Sequence, residues 1–198
     1  MLMVDRHQPG VDVRPIRTLS GTHEFCEVFF TDARTPIEHV IGKVHGAWEV
    51  MMGTLGQERA LTTLPAILGF RYEVEAAIET ARRRGTSDDP VVRQQLARAH
   101  TGMEIIRWTN YRMLTSLMRN GELGPESSVA KLMWAGWHRD MGELAMRLEG
   151  VESDLVGEGY QLSTMQLTAL NARAETIYGG SSEVQRNIIG ERVLGLPK

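Results

Sequence analysis

From about Gly46 to Leu194 the apolar residues recur every three or four positions with only short interruptions, which restricts the chain to a mainly helical fold. Trp48, Met51, Leu55, Leu61 or Thr62, Val74 and Ile78 predict a first helix that closes at Arg82-Arg83-Arg84-Gly85, with a kink at Pro65 where a backbone bond is lost. Ser87-Asp88-Asp89-Pro90 starts a second helix, with Val91, Leu96, Met103, Ile106, Tyr111 and Leu114 on its apolar face, closing near Asn120-Gly121. Gly124-Pro125-Glu126 opens a third, which carries Val129, Leu132, Met133, Ala135, Trp137, Met141, Leu144 and Leu148 as far as Gly150. A polar stretch from Val151 to Tyr160 follows. A fourth helix takes in Met165 to Ile177 and, after Gly179-Gly180, a short fifth runs from Ser181 or Ser182 to about Leu194. Long amphipathic helices with short links predict an antiparallel four-helix bundle.

Residues 1–45 read differently. Val11-Asp12-Val13-Arg14-Pro15-Ile16 and the aromatic run Phe25-Cys26-Glu27-Val28-Phe29-Phe30, bounded by turn residues, predict two or three strands. An isolated strand pair is marginal in water, so this segment is read as the remnant of a β domain, 1–45, ahead of a helical bundle domain, 46–198. With 198 residues, 42% of them hydrophobic, one core of ordinary size is expected. A net charge of −3 gives no global attraction for nucleic acid or an anionic membrane, so any anionic ligand must be held locally. Cys26 is the only cysteine, which rules out an internal disulfide and a cysteine-built zinc site and makes a cytoplasmic location the simplest expectation. Met1 to His7 has no signal-peptide layout, and no apolar stretch is long enough to span a membrane.

Two features carry chemistry. Glu58 lies three residues from Leu55, four from Thr62 and seven from Met51, on or beside the stripe that faces the bundle interior. Burial there disfavours its charged form and moves it toward the range of a general base. The alternative is a glutamate that reaches the rim or pairs with Arg59. The second feature is Tyr178-Gly179-Gly180-Ser181-Ser182-Glu183-Val184-Gln185: two glycines permit a sharp turn, and Ser182 with Gln185 has the spacing of a capping box. Amides at such a helix start bind anions, or simply cap. Arg82-Arg83-Arg84 could hold phosphates or remain solvated at a helix end. No pair of the six histidines has metal-ligand spacing on one helix face, so no metal site is expected. Trp108, Trp134 and Trp137 are read as core or interface residues.

At these residues the chain resembles the C-terminal part of the acyl-CoA dehydrogenases. The most specific piece is Ile177-Tyr178-Gly179-Gly180-Ser181-Ser182-Glu183-Val184-Gln185-Arg186-Asn187-Ile188-Ile189 with Glu191-Arg192-Val193-Leu194-Gly195-Leu196-Pro197. Pro9-Gly10-Val11, Val13-Arg14-Pro15, Glu27-Val28-Phe29-Phe30, Val40-Ile41-Gly42, Gly46-Ala47-Trp48 and Leu55-Gly56-Gln57-Glu58-Arg59 support it. The resemblance covers the last strands of the family's β-barrel domain and its C-terminal helical domain. In many members the catalytic glutamate follows the tyrosine of a Tyr-Glu-Gly-Thr motif, a position held here by Gly179. A second branch places the base on the first long helix of the C-terminal domain, and its Glu-Arg pair falls on Glu58-Arg59.

The resemblance implies FAD as cofactor, Glu58 as the base that removes the α-proton of an acyl-CoA thioester, and a role in fatty acid or lipid metabolism. It also implies Tyr178 and Arg59 on the substrate side, and Arg84, Thr86, Gly180, Ser181 and Glu183 on the FAD side. An electron-transfer flavoprotein would reoxidise the flavin, and a homo-oligomer, dimer or tetramer, or a heteromer with a paralogue is implied. Ser87-Asp88 stands where the family has Phe-Gly, and its glycine-rich stretch after the third helix reads Gly150-Val151-Glu152-Ser153-Asp154. The rival reading is a non-catalytic helical assembly subunit that pairs with a complete acyl-CoA dehydrogenase.

Overall fold

The computed structural model describes the backbone of residues 1–61, 63–121 and 126–197, and their side chains apart from those of 56–61, 63, 64 and 126. Two compact units divide the chain, 1–57 and 58–198.

In the first unit, β1 (Val11–Ile16) pairs antiparallel with β2 (Phe25–Phe30), with Val11 opposite Phe30 and Ile16 opposite Phe25. A third strand reduces to one antiparallel bridge, Leu2 with Val40. Phe25, Val28, Phe29 and Phe30 are exposed, because a two-stranded sheet has no second layer of its own. Helix α1 (Ala47–Leu61) crosses the division between the units.

The second unit is an antiparallel four-helix bundle of α2 (Thr63–Arg83), α3 (Pro90–Asn120), α4 (Glu126–Glu149) and α5 (Thr164–Glu175), followed by the short α6 (Ser182–Ile188). The first helix predicted from the sequence corresponds to α1 and α2, helical on both sides of Thr62, which lies outside the described residues. Pro65 lies within α2. At α3 the predicted signals act as expected: Asp89 accepts from the Val91 and Val92 amides at 2.7 and 3.2 Å, and Gly121, at φ 74°, closes the helix on the Leu117 carbonyl. The capping box belongs to α5, where Ser163 and Gln166 exchange bonds of 3.1 and 2.7 Å.

The core is built from Phe70, Val74, Ala77 and Ala81 of α2, Ala99, Met103 and Ile106 of α3, Trp134, Met141, Leu144 and Leu148 of α4, and Met165 of α5. On α3 the buried face runs Ala99, Met103, Ile106, Asn110, Met113, at spacings of four and three. Val91 and Tyr111, expected inside, are exposed, one position off that stripe. The buried asparagine breaks the apolar pattern and shifts the phase inferred from apolar residues alone. Val129 on α4 is exposed for the same one-residue reason, with Ala130 buried beside it. Among the described residues, no helix is long and apolar enough to cross a membrane.

Helices α4 and α5 pack closely at Gly142, where a Cβ would stand 2.8 Å from the Ala169 Cα. The obstacle is backbone, so a side chain there must push the helices apart. Gly142→Val is expected to cost about 1–3 kcal/mol, the range of core overpacking, read as a lower thermal midpoint with helicity retained below it.

Candidate functional site

The turn that joins α5 to α6 is held by its own hydrogen bonds. Tyr178 N–H donates to the Ala174 carbonyl at 3.0 Å and Ser182 N–H to the Thr176 carbonyl at 3.1 Å. Gly179 and Gly180 both take positive φ, 65° and 96°, which a side chain would strain, and a Cβ on Gly180 would also collide with the Gln185 amide. The N-cap of α6 is Ser181 rather than Ser182; its hydroxyl accepts from the Val184 amide at 3.4 Å. Gln185 does not serve as a capping partner. It is 1% exposed and donates through Nε2 to the Gly179 carbonyl at 3.0 Å, while its buried Oε1 has no hydrogen-bond partner. The Glu183 carboxylate lies below its usual range, held there by its own backbone amide and by the Ser181 hydroxyl. The amides of Ser182 and Val184 are thus engaged within the turn, and Tyr178 beside them is half-exposed.

Arg84 and Thr86 are bonded elsewhere. They complete the C-terminal end of α2, where Thr86 donates to the Ala81 carbonyl through its amide at 2.9 Å and its hydroxyl at 3.3 Å, beyond Gly85 at φ 68°. The Arg84 guanidinium pairs with Glu149 at 3.1 Å and with Glu152.

A buried polar cluster stands behind the turn, and sequence reasoning missed it. His138 of α4 lies between two carboxylates, with Nε2 2.8 Å from Glu73 of α2 and Nδ1 2.5 Å from Glu175, the last residue of α5. Phe70 and Trp137 cover the imidazole, with ring centroids at 4.9 and 5.8 Å. Two turns earlier on α4, buried Lys131 donates to the Glu175 carbonyl at 2.8 Å. Burial pulls Lys131 below the ordinary lysine range, against the attraction of Glu175 and Glu183. Burial alone would also lower His138, but its hydrogen bonds to Glu175 and Glu73, with their charges, push it up to about 9. The signal was present in the sequence: Lys131 and His138 share the α4 stripe of Ser128, Ala135 and Ala145, polar residues where periodicity demands burial. Among the described residues, no group of side chains is arranged to hold a metal ion.

Residues 46–194 match the family model described as acyl-CoA dehydrogenase, C-terminal domain. The chain belongs to the acyl-CoA dehydrogenase family. It is 44% identical over 197 residues to acyl-CoA dehydrogenase IpdE1 of Mycolicibacterium smegmatis, a match that covers all of this chain and 49% of that protein. The IpdE1 of Mycobacterium tuberculosis is 45% identical, with 100% and 50% covered. Among solved structures, the ChsE4-ChsE5 complex from Mycobacterium tuberculosis superposes with a TM-score of 0.79 at 27% identity, over 100% of this chain and 53% of that one. The chain spans about half the length of the curated relatives it matches. Within this acyl-CoA dehydrogenase domain, Glu58 and Arg59 fall on α1, and their side chains lie outside the described residues.

Proposed function

We propose that the chain is the C-terminal part of a flavin-dependent acyl-CoA dehydrogenase that removes the α- and β-hydrogens of an acyl-CoA thioester. The observation that carries this reading is the similarity to IpdE1 across the whole chain, at 44% and 45% identity. Bound FAD would supply a two-electron acceptor for the β-hydrogen. Glu58 takes the α-proton onto its carboxylate, and Arg59 and Tyr178 stand on the substrate side. The fit to FAD is good at the turn, where Gly180 and Ser181 present backbone without bulk and Gly179 carries no competing carboxylate. Gly180, Ser181, Glu183 and Thr86 are the residues proposed to face the cofactor. It is poor at Arg84, whose guanidinium is already neutralised by Glu149 and Glu152. An electron-transfer flavoprotein and a cytoplasmic setting belong to the same reading.

The Arg84 pairing favours a second reading, in which the chain serves as an assembly subunit beside a complete acyl-CoA dehydrogenase. The ChsE4-ChsE5 structure is a complex of two differently named chains. The visible absorption spectrum separates the two, taken after FAD is added and excess removed by gel filtration. A retained flavin band that bleaches with acyl-CoA is the expected outcome for the first reading. A stable helical oligomer without flavin would overturn it in favour of the second.

A further inference from the structure

At its end, one turn beyond the buried Ala172, α5 is tied to the bundle by polar bonds. Glu175 is attached twice to α4: its side chain meets His138 and its carbonyl accepts from Lys131, seven residues earlier on the same face. His138 extends the tie to α2 through Glu73. Three residues after Glu175 the chain reaches Tyr178 and the two glycines, and Gln185 returns from α6 to bond Gly179. The turn is therefore held by polar bonds on both sides. Both imidazole nitrogens face carboxylate oxygens, and a neutral imidazole has one donor only, so the doubly protonated ring is the form that satisfies both partners. Such bonds are directional, and a buried charge left without its partner is costly; they therefore select one placement where apolar contacts would tolerate several.

We propose that His138 is a positioning residue for the Tyr178–Gln185 turn, a bridge from Glu73 of α2 to Glu175 at the end of α5 that sets where the turn stands on the bundle. The functional meaning of that placement rests on the reading above, in which the turn meets cofactor and substrate. The groups that face His138 are Glu73 from α2 and Glu175 from α5; Lys131, on its own helix, bonds the Glu175 carbonyl and feels Glu183. Because the folded protein holds this histidine up to about 9 against an ordinary 6.5, the bridge contributes fully below about pH 6.5 and is lost as pH rises through about 9.

Amide hydrogen exchange on the full chain tests this, corrected for the intrinsic effect of pH on exchange, with Tyr178 and Ser182 reporting local opening of the turn. In the unmodified protein their protection is expected to fall at least tenfold between pH 7 and 9.5. In His138→Gln, which carries no charge at any pH, it is expected to be low already at pH 7. Ile106→Ala, which weakens the core without touching the bridge, should leave local opening of the turn within twofold. Turn amides indifferent to pH, or accelerated equally by both variants, would overturn the proposal. Should His138→Gln fail to fold, the pH series on the unmodified protein decides by itself. The measurement needs no flavin: pH-sensitive turn amides in a chain that binds none would uphold the bridge and count only against the catalytic reading.

Discussion

Glu58→Gln, in an assembly that retains flavin, is expected to bind the cofactor normally and to lose the bleaching that acyl-CoA produces, with the rate of flavin reduction down about 100- to 10,000-fold. Glutamine keeps the length and hydrogen-bonding reach of glutamate but cannot accept a proton, so the substitution separates binding from chemistry. The proposal assigns the base to Glu58 because Gly179 follows Tyr178, where the resemblance places the catalytic carboxylate of many family members. Stopped-flow absorbance on mixing with acyl-CoA checks it: unimpaired reduction in the variant would remove Glu58 from the mechanism. Loss of flavin together with activity would instead mark Glu58 as part of the binding site.

The largest expected effect on stability is at Ile106. It is 1% exposed, lies midway along α3, and packs in the cluster shared with α2 and α4. Ile106→Ala removes three carbons from a site enclosed on every side, so the loss combines transfer free energy with an unfilled cavity, about 2–5 kcal/mol. For a chain of 198 residues, that corresponds to a thermal midpoint lower by about 4–20 °C. Calorimetry or circular dichroism melting reads it; a shift under about 2 °C would mean that the neighbouring side chains close over the gap.

The local signals that were legible in the sequence are those whose physics is short-range. The caps of α3 at Asp89 and Gly121 depend on residues within four positions of the helix end, and the two strands on alternation in one and an apolar, aromatic run in the other, each within six residues. The unusual glycine pair of the α5–α6 turn was visible for the same reason. Phase along a helix was less secure. On α3 the apolar pattern points to Val91 and Tyr111, whereas the buried stripe includes the polar Asn110, which apolar periodicity passes over.

The cap of α6 shows how narrow the margin is. Ser181 and Ser182 are equally good N-caps by residue type, and Gln185 three residues on favours Ser182. Tertiary packing instead buries Gln185 and directs its amide to Gly179, which leaves the cap to Ser181. Arg84 is a similar case. Its position at the end of α2 is readable, but Glu149 and Glu152 lie more than sixty residues away and reach it only when α4 folds back along the bundle.

By itself the sequence determined the helical class, the strand pair, most helix ends and the candidate residues Glu58 and Tyr178–Ser181, because each depends on neighbours a few positions apart. Only the tertiary structure decided which polar side chains are enclosed together. Glu73, His138 and Glu175 come from three helices, and their joint charge state exists only once α2, α4 and α5 exclude water from the space they share.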